Sequence, residues 1–127
     1  MSALPLDEQL AVWLGQLLAG QPPSSDIVAF NVGLFQTASG YCAYLSGSTE
    51  FDADSDDWAV QGAYSPSRRE FPLPRDVFPF PKWQDALSQV SAALKAALAR
   101  PELQHSPLAH AQAVTVGFDD GDLERIA

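Results

Sequence analysis

Five carboxylates crowd into eight residues in the middle of the chain: Glu50, Asp52, Asp54, Asp56 and Asp57. The alternation from Asp52 to Asp56 matches the first three ligand positions of a calcium-binding loop. Asp57 then occupies the position where such a loop turns on glycine, and Ala63 stands where the bidentate glutamate is needed. The pattern therefore argues against calcium. It leaves a solvated acidic loop or an electrostatic docking patch for a basic partner.

A second acidic group lies near the C-terminus: Asp119, Asp120, Asp122 and Glu124, around Gly121. Aspartate and glycine both suit tight turns, so turn formation and solubility are the simplest role for this group. It extends the first acidic group only if both loops lie at the same end of the predicted sheet, and the sequence leaves that open.

The side chains that most often act as nucleophiles, bases or metal ligands form no catalytic pattern here. His105 and His110 are five residues apart, so they do not share a helix face as i, i+4 ligands do. Cys42 lies between Tyr41 and Ala43 in a strand-like segment, which predicts a buried, inert thiol. No CxxC pair, GxSxG elbow, phosphate-binding loop or GxGxxG motif is present. We therefore predict no enzymatic activity, no metal and no cofactor.

The three tryptophans divide into two kinds. Trp13 and Trp83 fall on the apolar stripes of predicted helices and are expected in the core. Trp58 directly follows the acidic loop, where a large ring either anchors a protein interface or closes the end of the core. The predicted partner-binding residues are Glu50, Asp52, Asp54, Asp56, Asp57, Trp58, Asp119, Asp120 and Asp122.

Two amphipathic helices are predicted. In residues 6–19 apolar side chains recur at helical spacing, with Asp7 and Glu8 in the first turn and Gly20 after the end. The second helix, over residues 82–100, lies between two prolines. Its apolar residues have spacings of 4, 3, 4 and 3: Trp83, Leu87, Val90, Leu94 and Ala97.

Strands are predicted at residues 27–35, 41–46, 58–64 and 113–118, with an edge strand at 68–73, where Pro72 and Pro74 are tolerated. Consecutive strands without intervening helices favour hairpins over parallel crossovers. We predict a single α+β domain over residues 1–127, with a mostly antiparallel sheet of four to five strands packed against two helices.

Composition supports this assignment and narrows the class of partner. The chain has 127 residues, 46% of them hydrophobic, and a net charge of −9. That charge disfavours nucleic acid and anionic membranes, which both attract positive surfaces. One cysteine allows no internal disulfide. Without a basic signal region or an apolar run of about 18 residues, the expected location is the cytoplasm.

Several segments resemble small acidic bacterial immunity-type proteins, which accompany polymorphic toxins and antibacterial effectors. The resemblance is carried by residues 29–35 (AFNVGLF), 40–41 (GY), 44–47 (YLSG), 56–58 (DDW) and 116–123 (VGFDDGDL). It implies a non-catalytic protein that binds and neutralises a cognate toxin, and it assigns no residue a role. The alternative is a small-ligand-binding or enzymatic domain with an aromatic and carboxylate-lined pocket. Residues 68–73 also leave open an oligomeric module that pairs through its edge strand.

Overall fold

The structure is a computed structural model, and it describes residues 5–52, 54, 58, 63–65, 70–118 and 123–127. The described part of the chain folds into two helices and five strands. In chain order they are α1 (Leu6–Gly20), β1 (Ala29–Thr37), β2 (Gly40–Ser48), β3 (Phe71–Pro74), α2 (Trp83–Leu98), β4 (Ala113–Phe118) and β5 (Glu124–Arg125). A 3-10 turn, Pro107–His110, precedes β4.

The strands form one sheet in the order β3-β2-β1-β4-β5. The pairs β1–β2, β2–β3 and β4–β5 are antiparallel, whereas β1–β4 is parallel. The predicted α+β class with a mostly antiparallel sheet is confirmed. The expectation that hairpins alone join the strands is wrong for β4, because α2 and its connections carry the chain back across the sheet. This return places β4 beside β1 and pointing in the same direction.

One face of the sheet carries the hydrophobic core. Alternate residues of β1 point to this face, and Phe30, Val32 and Leu34 are at most 1% exposed. The helices supply the matching apolar surface: Leu10, Leu14 and Leu17 from α1, and Ala86, Val90 and Leu94 from α2. The α1 stripe is thus confirmed.

The buried line of α2 differs from the predicted one. The buried residues include Ala86, Val90, Leu94 and Ala97. Trp83 is 52% exposed, so the predicted position of Trp83 in the core is wrong. The carboxylate of Asp85 accepts the backbone N–H of Lys82 at 3.2 Å and fixes the start of the helix at Trp83. Trp83 is therefore the first residue of the helix, where its ring packs against Phe118 but is not covered by the core.

The opposite face of β1 is small and polar, as the predicted alternation of Ala29, Asn31 and Gly33 requires. Thr115 Oγ1 donates to Asn31 Oδ1 at 2.9 Å, and both side chains are buried. The ring of Tyr44 lies directly over Gly33, where an added Cβ would stand 2.1 Å from Tyr44 Cζ. A side chain at position 33 would therefore displace the Tyr44 ring from this close approach between neighbouring strands.

Two predicted strands fall partly outside the described residues. Of the predicted strand 58–64, residues 59–62 lie outside, and Tyr64 forms an isolated antiparallel bridge with Gly47. The Tyr64 hydroxyl donates to the backbone oxygen of Gln21 at 2.6 Å. The predicted edge strand 68–73 is observed as β3, which begins at Phe71 and lies at the sheet edge.

We predict opposite effects from alanine at two glycines. Gly40 has a φ of +150°, and an added Cβ would lie 2.4 Å from the backbone oxygen of Leu73, so Gly40→Ala should lower the free energy of unfolding by about 2 kcal/mol or more. Gly15, in α1, has nothing within 4 Å of an added Cβ, so Gly15→Ala should raise it by about 0.5–1 kcal/mol. Urea titration of both variants tests this, and equal effects would contradict it.

Candidate functional site

An open cleft lies at one end of the sheet, where Ala29, Ser48 and Ala113 stand in register. Its volume is about 540 Å³, and its walls include Thr49, Glu50, Phe51, Asp52, Trp58 and Gln112. We call it the acidic cleft. It forms because the chain leaves β2 at this end and passes close to the start of β4, bringing carboxylates and aromatic rings together.

The aromatic side of the acidic cleft is well packed. Trp58 is 6% exposed, and its ring meets Phe51 edge-on with ring centroids 5.3 Å apart. Arg125 lies against Phe51 with its guanidinium carbon 5.2 Å from the ring centroid, and its Nη2 donates to the backbone oxygen of Gln112 at 2.7 Å. A cation from this same chain therefore already stacks on one of the cleft's rings, and such contacts contribute about 0.5–1 kcal/mol at exposed sites.

The acidic side is exposed to solvent. Glu50 and Asp52 both line the cleft and are exposed. The backbone N–H of Glu50 donates to Ser48 Oγ at 3.1 Å, and Asp52 Oδ1 accepts the N–H of Asp54 at 2.9 Å. These bonds hold the first part of the loop close to the end of β2. Asp54 is exposed in the same loop, whereas the predicted residues Asp56 and Asp57 lie outside the described residues.

The other predicted partner-binding residues, Asp119, Asp120 and Asp122, lie outside the described residues. The described residue before them is Phe118, which pairs with Leu34. Leu34 is five residues along β1 from Ala29, a distance of about 17 Å in a strand. That the second acidic group extends the first stays a prediction.

The histidines and the cysteine stand apart from the acidic cleft. His105 and His110 are exposed and line no part of it. Within the described ranges, no group of three or more histidine, cysteine, aspartate or glutamate side chains is arranged to hold a metal ion. Cys42 is buried, as predicted, and its Sγ donates to Glu70 Oε2 at 3.5 Å. Burial first, and then the Glu70 carboxylate, raise the pKa of the Cys42 thiol to about 11.

Sequence reasoning missed an exposed aromatic residue on α2. Trp83 packs edge-on against Phe118 with ring centroids 5.8 Å apart and borders a groove of about 470 Å³ between α2 and β5. Leu87, Lys95 and Glu124 also line this groove. The signal that could have revealed Trp83 is the capping aspartate at position 85, because it places Trp83 at the first position of the helix, where few neighbours cover the ring.

Comparison with protein-family models, with curated proteins and with solved structures finds no match to this chain. Across the part of the chain that the structure describes, no helix combines the length and the apolar character needed to cross a membrane.

We predict that Trp83 supplies most of the quenchable fluorescence. It is 52% exposed, whereas Trp13 and Trp58 are 8% and 6% exposed. Trp83→Phe should therefore remove most of the iodide-accessible emission and shift the remainder to shorter wavelength. Trp58→Phe is the matched control and should leave the accessible fraction nearly unchanged. A larger loss of accessible emission from Trp58→Phe would contradict the assignment.

We predict that the Cys42 thiol reacts slowly. With a pKa of about 11 in place of 9.0, iodoacetamide should modify it at pH 8 roughly a hundredfold more slowly than an ordinary thiol. Glu70→Gln should lower the pKa but leave it above 9.0, because burial is the larger cause.

The folded state holds the Cys42 proton more tightly than the unfolded state. This contribution to stability is complete below pH 9.0 and is lost as the pH rises towards about 11. Alkylation rates measured against pH check the prediction, and a midpoint at or below 9.0 would refute it.

Proposed function

We propose that this chain is a non-catalytic protein-binding protein, an immunity protein or inhibitor that neutralises a cognate bacterial toxin. The observation that carries the proposal is the acidic cleft, where the exposed carboxylates of Glu50 and Asp52 stand beside the packed rings of Phe51 and Trp58. Resemblance to immunity-type proteins supports the same function. We place the protein in the cytoplasm of a bacterium.

Each half of the acidic cleft has a part in binding. Exposed carboxylates on a protein of net charge −9 attract a basic partner and raise the association rate. Ordered aromatic rings provide apolar surface that is already held in place, so little side-chain entropy is lost on contact. The stacking of Arg125 on Phe51 shows that these rings accept a guanidinium. An arginine or lysine of the partner is therefore the group that we expect to enter.

A small-ligand-binding role is the second candidate, and the same cleft favours it. A volume of about 540 Å³ lies within the range of ordinary ligand pockets, and the walls combine aromatic and carboxylate groups. An organic cation of low molecular weight would fit the volume and would contact both the aromatic and the carboxylate groups. The two candidates differ in the size of the surface involved, because a protein partner covers about 800 Å² on each side.

The test uses the product of the gene immediately upstream as the partner and measures binding kinetics at several salt concentrations. The double variant Glu50→Gln with Asp52→Asn should lower the association rate constant about tenfold at low salt and weaken its salt dependence. The matched control is Asp76→Asn with Glu102→Gln, which removes the same charge from exposed positions outside the cleft and should have a much smaller effect.

Two results would count against the proposal. Equal rates and salt dependence for the two double variants would remove the acidic cleft as the contact surface. The small-ligand role would be favoured by a second pair of results. The unaltered protein would neither bind the upstream gene product nor protect cells that express it. It would instead bind agmatine saturably, and the Glu50, Asp52 variant would lose that binding.

A further inference from the structure

A second cleft lies at the opposite end of the sheet, between the β1–β2 turn and the connection from β3 to α2. Its volume is about 390 Å³, and its walls include Gln36, Tyr41, Arg75, Phe78 and Phe80. We call it the Arg75 cleft. None of the described residues that line it carries a carboxylate, although acidic residues outnumber lysine and arginine by 16 to 7 in the sequence.

The walls of the Arg75 cleft are held in place by short-range contacts. The backbone N–H of Arg75 donates to Ser39 oxygen at 2.8 Å, which ties the connection to the β1–β2 turn. The rings of Phe78 and Phe80 stack with centroids 6.1 Å apart, and Phe80 also packs against Tyr41 at 6.3 Å. Prolines on both sides of Phe80 restrict the backbone further. The apolar wall is therefore formed before any ligand arrives.

The guanidinium of Arg75 has N–H donors available for a ligand. Its Nη2 donates to the backbone oxygen of Ala38 across a long distance of 3.4 Å. Within the described residues it forms no ion pair, whereas Arg100 lies within 4 Å of Asp7, Glu8 and Glu102. Asp76 follows Arg75 in the chain but is exposed and does not line the cleft. A guanidinium carries five N–H donors in a planar fork that matches a carboxylate.

We propose that the Arg75 cleft binds an organic carboxylate with an aromatic body. The carboxylate pairs with the Arg75 guanidinium, and the ring lies against Tyr41 and Phe78. The volume lies at the small end of the range for ligand pockets, which suits a ligand with one ring. Such a group occurs as a free aryl acid and as the C-terminal phenylalanine of a peptide, and both present the same chemistry. The site is separate from the acidic cleft and does not depend on the proposed function.

The test is titration of the full-length, isotopically labelled protein with phenylacetate, followed by NMR. Saturable shifts are expected at the backbone amides of Gly40, Arg75 and Phe80. Phenylacetamide has the same shape without the charge and should bind at least about tenfold more weakly, since a charge-assisted hydrogen bond contributes that much or more. Acetyl-Gly-Phe with a free C-terminus is the second probe. Tighter binding of it than of phenylacetate identifies a peptide C-terminus as the ligand, and weaker or equal binding identifies a free acid.

Variants of Arg75 distinguish the loss of its charge from a disturbance of the fold. Arg75→Gln should weaken phenylacetate binding at least about tenfold, while Arg75→Lys should retain part of it. Arg125→Gln removes the same charge at the other end of the sheet and should leave binding unchanged. If Arg75→Gln disturbs the spectrum beyond the cleft, Phe78→Ala provides the independent variant and should also weaken binding. The proposal is overturned by absence of saturable shifts, by equal binding of the acid and the amide, or by equal effects of Arg75→Gln and Arg125→Gln.

Discussion

The position of β1 between an antiparallel neighbour and a parallel one determines most of this structure. Phe30, Val32 and Leu34 enter the core. On the opposite face, Asn31 bonds to Thr115 and Gly33 lies beneath Tyr44. A shift of one residue would exchange the two faces and place Asn31 in the apolar core, where no partner is provided. The register of β1 with β2 and β4 is therefore strongly specified, and it sets what stands at each end of the sheet.

The two described clefts differ in the charged groups that line them. At the end where β1 begins, Glu50 and Asp52 stand beside Phe51 and Trp58. Where β1 ends, Arg75 lines the second cleft. A basic partner is proposed for the first cleft and an organic carboxylate for the second, so the two proposed ligands do not compete for the same charged groups.

Local patterns in the sequence predicted much of the fold. The α1 stripe and the two strands of the β1–β2 hairpin follow from periodicity that depends on near neighbours, although β1 begins and ends two residues later than predicted. The parallel placement of β4 was not predicted, because it depends on the path of a connection rather than on any local pattern. The prediction for Trp83 failed for a different reason. Trp83 lies on the predicted stripe, seven residues before Val90, but it is the first residue of α2, where the core does not cover it. For the acidic cleft, Glu50, Asp52 and Trp58 were predicted from charge and sequence proximity. Phe51, Gln112 and Arg125 were missed, because they join the site through tertiary contacts.

The prolines of β3 limit strand pairing with other chains at the edge of the sheet. Pro72 and Pro74 remove two of the four backbone donors from one outer strand of the sheet, and the strand at the other margin, β5, has two residues. Within the described residues, both outer strands are therefore poor templates on which a foreign chain could lengthen the sheet. Fibrillar growth by strand addition to these two strands is disfavoured.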